Sequence, residues 1–185
     1  MLFRSEKPGR YPTILVRTPY NRQAGVGGYD DCVKNDYAFI VQDCRGRFDS
    51  EGVFDPFLQE ALDTPDTIAW IRQQDWSDGR VGTAGPSYLN WSQTMGTVKG
   101  DGVVADALIP TFAPMSPLQN RGFTSYGALT LFLTFWWYAF DVHAQVANGN
   151  FKLMFDIDEV HKRLPLETLD EATSGARSPL DRKST

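Results

Sequence analysis

The residues best able to do chemistry centre on Ser87, in the segment Gly85-Pro86-Ser87-Tyr88-Leu89. A short apolar run, residues 81–84, precedes it, and residues 87–98 follow with helical character. A strand, a tight turn that carries a serine and an immediate helix are the parts of a nucleophile elbow, which lifts a serine Oγ above a sheet. An activated serine hydroxyl attacks carbonyl carbons, so the pattern indicates acyl transfer from an ester or an amide.

The elbow pattern is incomplete, and the same segment has a second interpretation. Leu89 stands two residues after Ser87, where the motif has glycine, and Pro86 restricts Gly85 and removes one N–H. Serine is also a preferred N-cap residue, so Ser87 is alternatively no more than the start of a helix. The flanking elements have to decide between the two.

Those flanking elements are predicted to form a mostly parallel sheet covered by helices. Predicted strands cover residues 12–17, 37–42, 81–84 and 103–109, and predicted helices cover 30–35, 58–74 and 87–98. Alternation of strand and helix at this spacing implies right-handed crossovers and parallel pairing. Functional groups in such sheets lie at the carboxyl ends of the strands. The residues at those ends are Tyr20, Asp43, Ser87 and Pro110.

After residue 110 the alternation stops. Residues 111–126 have the composition of a loop, and residues 127–142 and 154–164 are predicted as helices, the first rich in aromatic side chains. The sequence therefore predicts a catalytic core over 1–110, a helical cap portion over 111–170 and a disordered tail over 171–185.

Four blocks, taken together, carry a resemblance to a known family. They are residues 11–21, residues 41–52, residues 66–71 with 76–82, and residues 85–89. In this order they resemble the N-terminal portion of the X-Pro dipeptidyl-peptidase and cocaine-esterase (CocE/NonD) family of α/β-hydrolases. The resemblance implies an incomplete α/β-hydrolase fold, followed by the start of a helical cap, in a serine hydrolase or peptidase.

The resemblance also implies roles for individual residues. Ser87 is expected to be the nucleophile, and the Tyr88 backbone N–H and the Tyr20 hydroxyl are expected to form the oxyanion hole; Tyr20 alternatively only closes a turn after proline. Asp43 and Arg45 are expected to form a structural pair beneath the loop that follows. The aromatic residues expected to wall a substrate pocket, or alternatively to pack within the cap, are Phe123, Tyr126, Trp136 and Trp137.

The catalytic acid and histidine of the family follow its cap, and this sequence ends before that point. Its two histidines, His143 and His161, lie in the cap-like region and are expected to be helix-surface residues. Three interpretations stay open: a hydrolase that is incomplete as this chain, a non-catalytic remnant or binding module, and an N-terminal half completed by a separate C-terminal chain.

Composition limits the partners. A net charge of −5 gives no basic surface for nucleic acid, and the most apolar run, residues 128–140, is too short to cross a bilayer. Neither Cys32 nor Cys44 belongs to a metal-binding or disulfide pattern, which favours the cytoplasm and predicts no metal and no cofactor. The expected partner is a small ester or peptide substrate; a homo-oligomer and a complementing chain are left open.

Overall fold

The computed structural model describes residues 1–24, 27–55, 57–98, 102–111, 124–125 and 128–129. The strands are β1 (Leu2–Phe3), β2 (Tyr11–Thr18), β3 (Ala38–Asp43), β4 (Ser77–Pro86), β5 (Ala107–Thr111), β6 (Thr124–Ser125) and β7 (Ala128–Leu129). The helices are α1 (Tyr29–Lys34), α2 (Glu60–Arg72) and α3 (Tyr88–Val98).

Five of the strands form one sheet in the order β1-β3-β2-β4-β5. All of its neighbours pair in parallel except β1, which runs antiparallel to β3. Val16 lies opposite Val41 across β2 and β3, and Leu15 lies opposite Thr83 across β2 and β4. The mostly parallel sheet predicted from the sequence is therefore confirmed.

Helices cover both faces of this sheet. On one face Leu15, Ile40 and Val81 pack with Ile68 and Ile71 of α2, and all five side chains are buried. On the other face the buried residues Val16, Phe39 and Val41 pack with half-buried side chains that include Tyr29 and Cys32 of α1. Leu15 and Val16 point to opposite faces because successive residues of a strand alternate, which explains the continuous apolar runs.

Helices α2 and α3 approach each other closely at Gly96. A Cβ added to Gly96 would lie 2.6 Å from Thr64 Cγ2, so no larger residue fits without displacing α2. Thr64 also donates a hydrogen bond to the Ser92 carbonyl at 3.1 Å. This contact sets the position of α3, whose first residue follows Ser87.

Four predicted elements differ from the structure. Strand β4 starts at Ser77 instead of residue 81, because its pairing with β2 already begins there, opposite Tyr11. Strand β5 starts at Ala107 instead of residue 103 and contains Pro110. Among the described strands β5 is the last of the sheet, a position that tolerates a proline without an N–H. Strands β6 and β7 pair in antiparallel fashion where a loop and the start of a helix were predicted. Only two residues separate β6 from β7 in the sequence, a spacing typical of a hairpin, whose cross-strand hydrogen bonds override the helical propensity of Ala128 and Leu129.

The chain divides into two compact units, Met1–Ala113 and Pro114–Thr185. The first contains the five-stranded sheet with its three helices, and the second contains the β6–β7 pair. Apart from Thr111 and that pair, the predicted cap portion (111–170) and the predicted tail (171–185) lie outside the described residues.

Candidate active site

Ser87 occupies a strained turn between a strand and a helix. It lies between the last residue of β4 and the first residue of α3, its φ is 58°, and the side chain is exposed. Its backbone N–H donates to the Thr111 carbonyl at 3.2 Å, and its own carbonyl accepts from the Asn90 N–H at 3.0 Å. An N-cap serine has an extended backbone, whereas Ser87 is left-handed, a conformation that is costly without support. The sharp strand-to-helix turn predicted at Ser87 is confirmed.

Gly85 leaves the space that this turn requires. Its φ is 130°, and a Cβ placed on it would lie 2.6 Å from both Cβ and Cδ2 of Leu89. The leucine that replaces the second glycine of the elbow motif therefore packs over the first glycine. This contact explains how the turn forms despite the departure from the motif.

Tyr88 is anchored by its side chain while its backbone starts helix α3. The residue is 4% exposed, and its hydroxyl accepts from the Phe57 N–H at 2.9 Å and donates to Glu60 Oε1 at 3.3 Å. Burial, followed by the negative charge of Glu60, raises the pKa of Tyr88 well above its ordinary value, so the phenol stays protonated and remains a donor. The backbone N–H of Tyr88 belongs to the first turn of α3, directly after Ser87.

Tyr20 lies against Tyr88. Its ring meets the Tyr88 ring edge-on, with 6.4 Å between centroids, and its N–H donates to Thr18 Oγ1 at 3.0 Å. The preceding turn is held by Arg47, a buried side chain whose Nε donates to the Pro19 carbonyl at 2.9 Å. The structure thus brings Tyr20 next to the residue that follows Ser87.

Charged residues hold the loops after β2 and β3, although not with the predicted pairing. Asp43 pairs with Arg22, whose backbone N–H donates to Asp43 Oδ1 at 2.6 Å and whose Nη1 donates to Asp43 Oδ2 at 2.9 Å. Arg45 pairs instead with Asp63 of α2. The predicted Asp43–Arg45 pair is therefore wrong, because Arg22, 21 residues earlier in the chain, is brought to Asp43 by the parallel pairing of β2 with β3.

A buried ion pair joins Arg17 to Glu60, and the sequence did not reveal it. Arg17 Nη1 lies 2.5 Å from Glu60 Oε2 and donates to Thr64 Oγ1 at 2.7 Å, and the two charged side chains are 3% and 1% exposed. The available signal was an arginine at the end of an apolar strand, since a charge in such a position needs a partner.

Cys44 is a second nucleophilic side chain at a strand end, but it is fully buried beyond β3. Burial, followed by the charge of Glu60, raises the pKa of its thiol. The thiolate is the reactive form of cysteine, so Cys44 is inert at neutral pH. Ser87 is the accessible nucleophile of the two.

A polar cavity of about 250 Å³ lies beside the charged loops. Its lining residues are Arg17, Gln42, Asp43, Arg45, Ser50, Glu51, Asp63, Asp66 and Thr67. It does not include Ser87, Tyr20 or Tyr88, so it is not the pocket of the elbow. In the part of the chain that the structure describes, no group of three or more histidine, cysteine or acidic residues is placed to hold a metal ion.

The remaining predicted site residues lie outside the described part of the chain. They are the candidate pocket residues Phe123, Tyr126, Trp136 and Trp137 and the histidines His143 and His161. No helix in the described ranges is long and apolar enough to span a membrane.

Comparison with known proteins gives matches over most of the chain. The model of the family described as X-Pro dipeptidyl-peptidase (S15 family) matches residues 3–174. The cocaine esterase of Rhodococcus sp. (strain MB1 Bresler) is 34% identical over 144 residues, which are 75% of this chain and 25% of that protein.

Solved structures agree on the fold. An α-amino acid ester hydrolase superposes with a TM-score of 0.60 at 25% identity, covering 69% of this chain and 25% of its own. A CocE/NonD family hydrolase from Staphylococcus aureus gives a TM-score of 0.61 at 22% identity, covering 97% of this chain and 35% of its own. The fold is that of the α/β-hydrolases, and the chain spans a quarter to about a third of the length of these relatives.

Proposed function

We propose that Ser87 is the nucleophile of an acyl-transfer reaction in this chain, which belongs to the X-Pro dipeptidyl-peptidase (S15) family of hydrolases. The single observation that carries this proposal is the left-handed φ of 58° at an exposed serine between a strand and a helix. Strain of this kind persists only where the surrounding structure enforces it, and it concentrates at active sites.

In the proposed reaction the Ser87 Oγ attacks the carbonyl carbon of an ester or amide while a base removes its proton. Negative charge collects on the carbonyl oxygen, where the Tyr88 backbone N–H and the Tyr20 hydroxyl donate hydrogen bonds. The alcohol or amine then leaves with a proton, and water hydrolyses the acyl-serine. A single oxyanion donor contributes about 3–4 kcal/mol to such a transition state.

Two features support Tyr88 and Tyr20 as these donors. The Tyr88 side chain is buried and bonded to Glu60 and the Phe57 N–H, which fixes the backbone N–H at the head of α3. Tyr20 follows the carboxyl end of β2 and packs against that same ring. Preorganised donors are effective because they need no rearrangement during the reaction.

The substrate class we propose is a small ester or an X-Pro peptide. The family description names a dipeptidyl-peptidase, whereas the two closely matched relatives are named for ester hydrolysis. We also propose a cytoplasmic location. The two cysteines, Cys32 and Cys44, are free thiols, which supports a reducing compartment.

The base needed by Ser87 is the open part of the reaction. A serine hydroxyl is a weak nucleophile without one, and neither His143 nor His161 is expected to provide it. We therefore expect little turnover from these 185 residues alone, and complementation by a downstream polypeptide that carries an aspartate and a histidine is the second arrangement we consider.

A pre-steady-state burst with an activated ester such as 4-nitrophenyl acetate tests the proposal. The chain alone should give a weak burst, because a serine without a base is acylated slowly. Ser87→Ala should abolish that burst, because no hydroxyl remains to be acylated, whereas His143→Ala and His161→Ala should leave it unchanged. A full-strength burst that either histidine variant abolishes would contradict the assignment of the base. A signal that is equal in Ser87→Ala would contradict the nucleophile itself.

A further inference from the structure

One buried side chain, Gln93 of α3, contacts the two strands that flank the elbow, β4 and β5. Gln93 is 3% exposed. Its Nε2 donates to the Gly85 carbonyl at 2.9 Å and to the Leu89 carbonyl at 3.2 Å. Its Oε1 accepts from the Ile109 N–H at 3.2 Å and from Thr83 Oγ1 at 3.3 Å.

These contacts use the full capacity of the amide, which has two N–H donors and two oxygen lone pairs. They also permit only one orientation of the group. If the amide were reversed, its oxygen would face the Gly85 carbonyl and its NH₂ would face the Ile109 N–H, so that each polar atom would meet its own kind. The Gln93 side chain is therefore fixed by its neighbours and can in turn fix them.

By holding these groups, Gln93 affects the backbone geometry of the elbow. Gly85 has a φ of 130°, Ser87 has a φ of 58°, and only Pro86 separates them. Gln93 holds the carbonyl at the start of this turn, while the Thr111 carbonyl holds the Ser87 N–H at its end. The Gln93 amide also bonds Ile109 of β5, the strand that contains Thr111. Gln93 therefore holds both the Gly85 carbonyl and the strand that supplies the Thr111 carbonyl.

We propose that Gln93 is the positioning residue of the elbow: its amide clamps β4 to β5 and so keeps Ser87 and the Tyr88 N–H in the geometry required for reaction. This chemical consequence rests on the proposed role of Ser87. The clamp itself is a statement about backbone geometry and can be tested without turnover.

Amide hydrogen exchange of the full 185-residue chain, followed by NMR, tests the clamp. Gln93→Met keeps the length of the side chain and removes both the donor and the acceptor. We expect exchange at the Ser87 and Ile109 amides, which donate to Thr111 and to Gln93, to accelerate at least tenfold. Thr83→Val removes only one bond to the Gln93 amide and should leave the Ser87 rate within about twofold of wild type.

Ile71→Val is the control for lost stability, because Ile71 is buried in the apolar core beneath α2. Ile71→Val should raise amide exchange rates across the sheet, and should not raise those at the elbow more than those elsewhere. The clamp is overturned if Gln93→Met accelerates exchange at the Ser87 and Ile109 amides no more than Ile71→Val does. It is also overturned if Gln93→Met accelerates exchange at all amides of the sheet by the same factor. A Gln93→Met chain that does not fold is replaced by Gln93→Asn, whose shorter side chain cannot reach Gly85 and Ile109 together, with the same criteria.

A second measurement separates this proposal from the proposed function. The rate at which a 4-nitrophenyl phosphonate modifies Ser87 should fall at least tenfold in Gln93→Met and less than twofold in Ile71→Val. If exchange at the elbow accelerates in Gln93→Met but the phosphonate adduct of the wild type forms on a residue other than Ser87, the clamp stands and the nucleophile assignment fails. If the wild type is modified and Gln93→Met is modified at the same rate, the clamp has no chemical role and the proposal fails.

Discussion

The turns at the carboxyl ends of the sheet are held by two different kinds of bonding. We term the turns after β2 and β3 the charged side. Two ion pairs hold these turns, Arg17 with Glu60 and Arg22 with Asp43. We term the turn after β4 the neutral side. The amide of Gln93 and the contact between Gly85 and Leu89 hold this turn. The charged side is therefore sensitive to the loss of any one charge, whereas the neutral side depends on shape and amide geometry.

Tyr88 connects the two sides. Its hydroxyl donates to Glu60 on the charged side, and its backbone begins the helix that follows Ser87 on the neutral side. A change on the charged side should thus displace the proposed oxyanion donors through the Tyr88 side chain, and a change on the neutral side should displace them through the backbone. The variants that separate these two effects differ in their expected loss of stability, from largest to smallest.

Arg17→Met should be the most destabilising change. It leaves Glu60, which is 1% exposed, as a buried charge without its principal partner. Breaking a buried pair from one side costs about 3–5 kcal/mol, measured as the free energy of unfolding in urea.

The control for Arg17→Met is Arg80→Ala, which removes an exposed guanidinium paired with Asp78 and should leave the urea midpoint almost unchanged. The double variant Arg17→Met with Glu60→Leu should recover part of the loss, because no unpaired charge remains. A cost below about 1 kcal/mol for Arg17→Met would mean that the charged side does not depend on this pair.

Gly85→Ala should disrupt the neutral side by about 2–4 kcal/mol, because the new Cβ clashes with Leu89 and the backbone has a left-handed φ. Gly79→Ala is a matched control: Gly79 has a φ of 92° with open space around it, so it reports the cost of the backbone conformation alone. Equal urea midpoints for the two variants would show that Leu89 does not restrict the turn.

Tyr88→Phe should destabilise the chain by about 1–3 kcal/mol. It removes the hydroxyl that accepts a hydrogen bond from the Phe57 N–H and donates one to Glu60, which is 1% exposed. Thermal and urea unfolding measure this loss. Tyr29→Phe, at a half-buried position on α1, should stay within about 0.5 kcal/mol of wild type; a similar small change for Tyr88→Phe would remove the proposed link between the two sides.

Asp106→Asn should have the smallest effect, because this carboxylate is half exposed and its pairing with Arg72 is screened by water. The Val81 N–H, followed by Arg72, lowers the pKa of Asp106. Its contribution is therefore present above the unfolded pKa of about 3.9 and lost as the pH falls through the lower, folded value. Urea unfolding between pH 2 and 7 should show a slightly shallower acid decline in Asp106→Asn; a shift at pH 9 alone would contradict this.

The sequence was most informative where local pattern determines the outcome. Apolar runs predicted β2 and β3 to within two residues, and Gly-x-Ser between a strand and a helix predicted the turn at Ser87. These features depend on neighbours in the chain, whose preferences are visible in the residue types.

Partners distant in sequence were not predictable in the same way. Asp43 pairs with Arg22 and Arg45 with Asp63, because tertiary structure chooses among several nearby charges. Gln93 resembles any glutamine on a helix until the sheet beneath it is known. Likewise, the strand at Ala128–Leu129 follows from pairing with β6 and not from its own propensity.

Modification of the 185-residue chain by a 4-nitrophenyl phosphonate, with the adduct located by peptide mass spectrometry, tests the central claim most directly. We predict slow modification, because no base is assigned to Ser87 within these residues, and a single adduct on Ser87. The rate in Tyr20→Phe should be about 100-fold lower still, because one oxyanion donor is lost. An adduct on another residue, or equal rates in wild type and Tyr20→Phe, would contradict the account of Ser87 and its oxyanion hole.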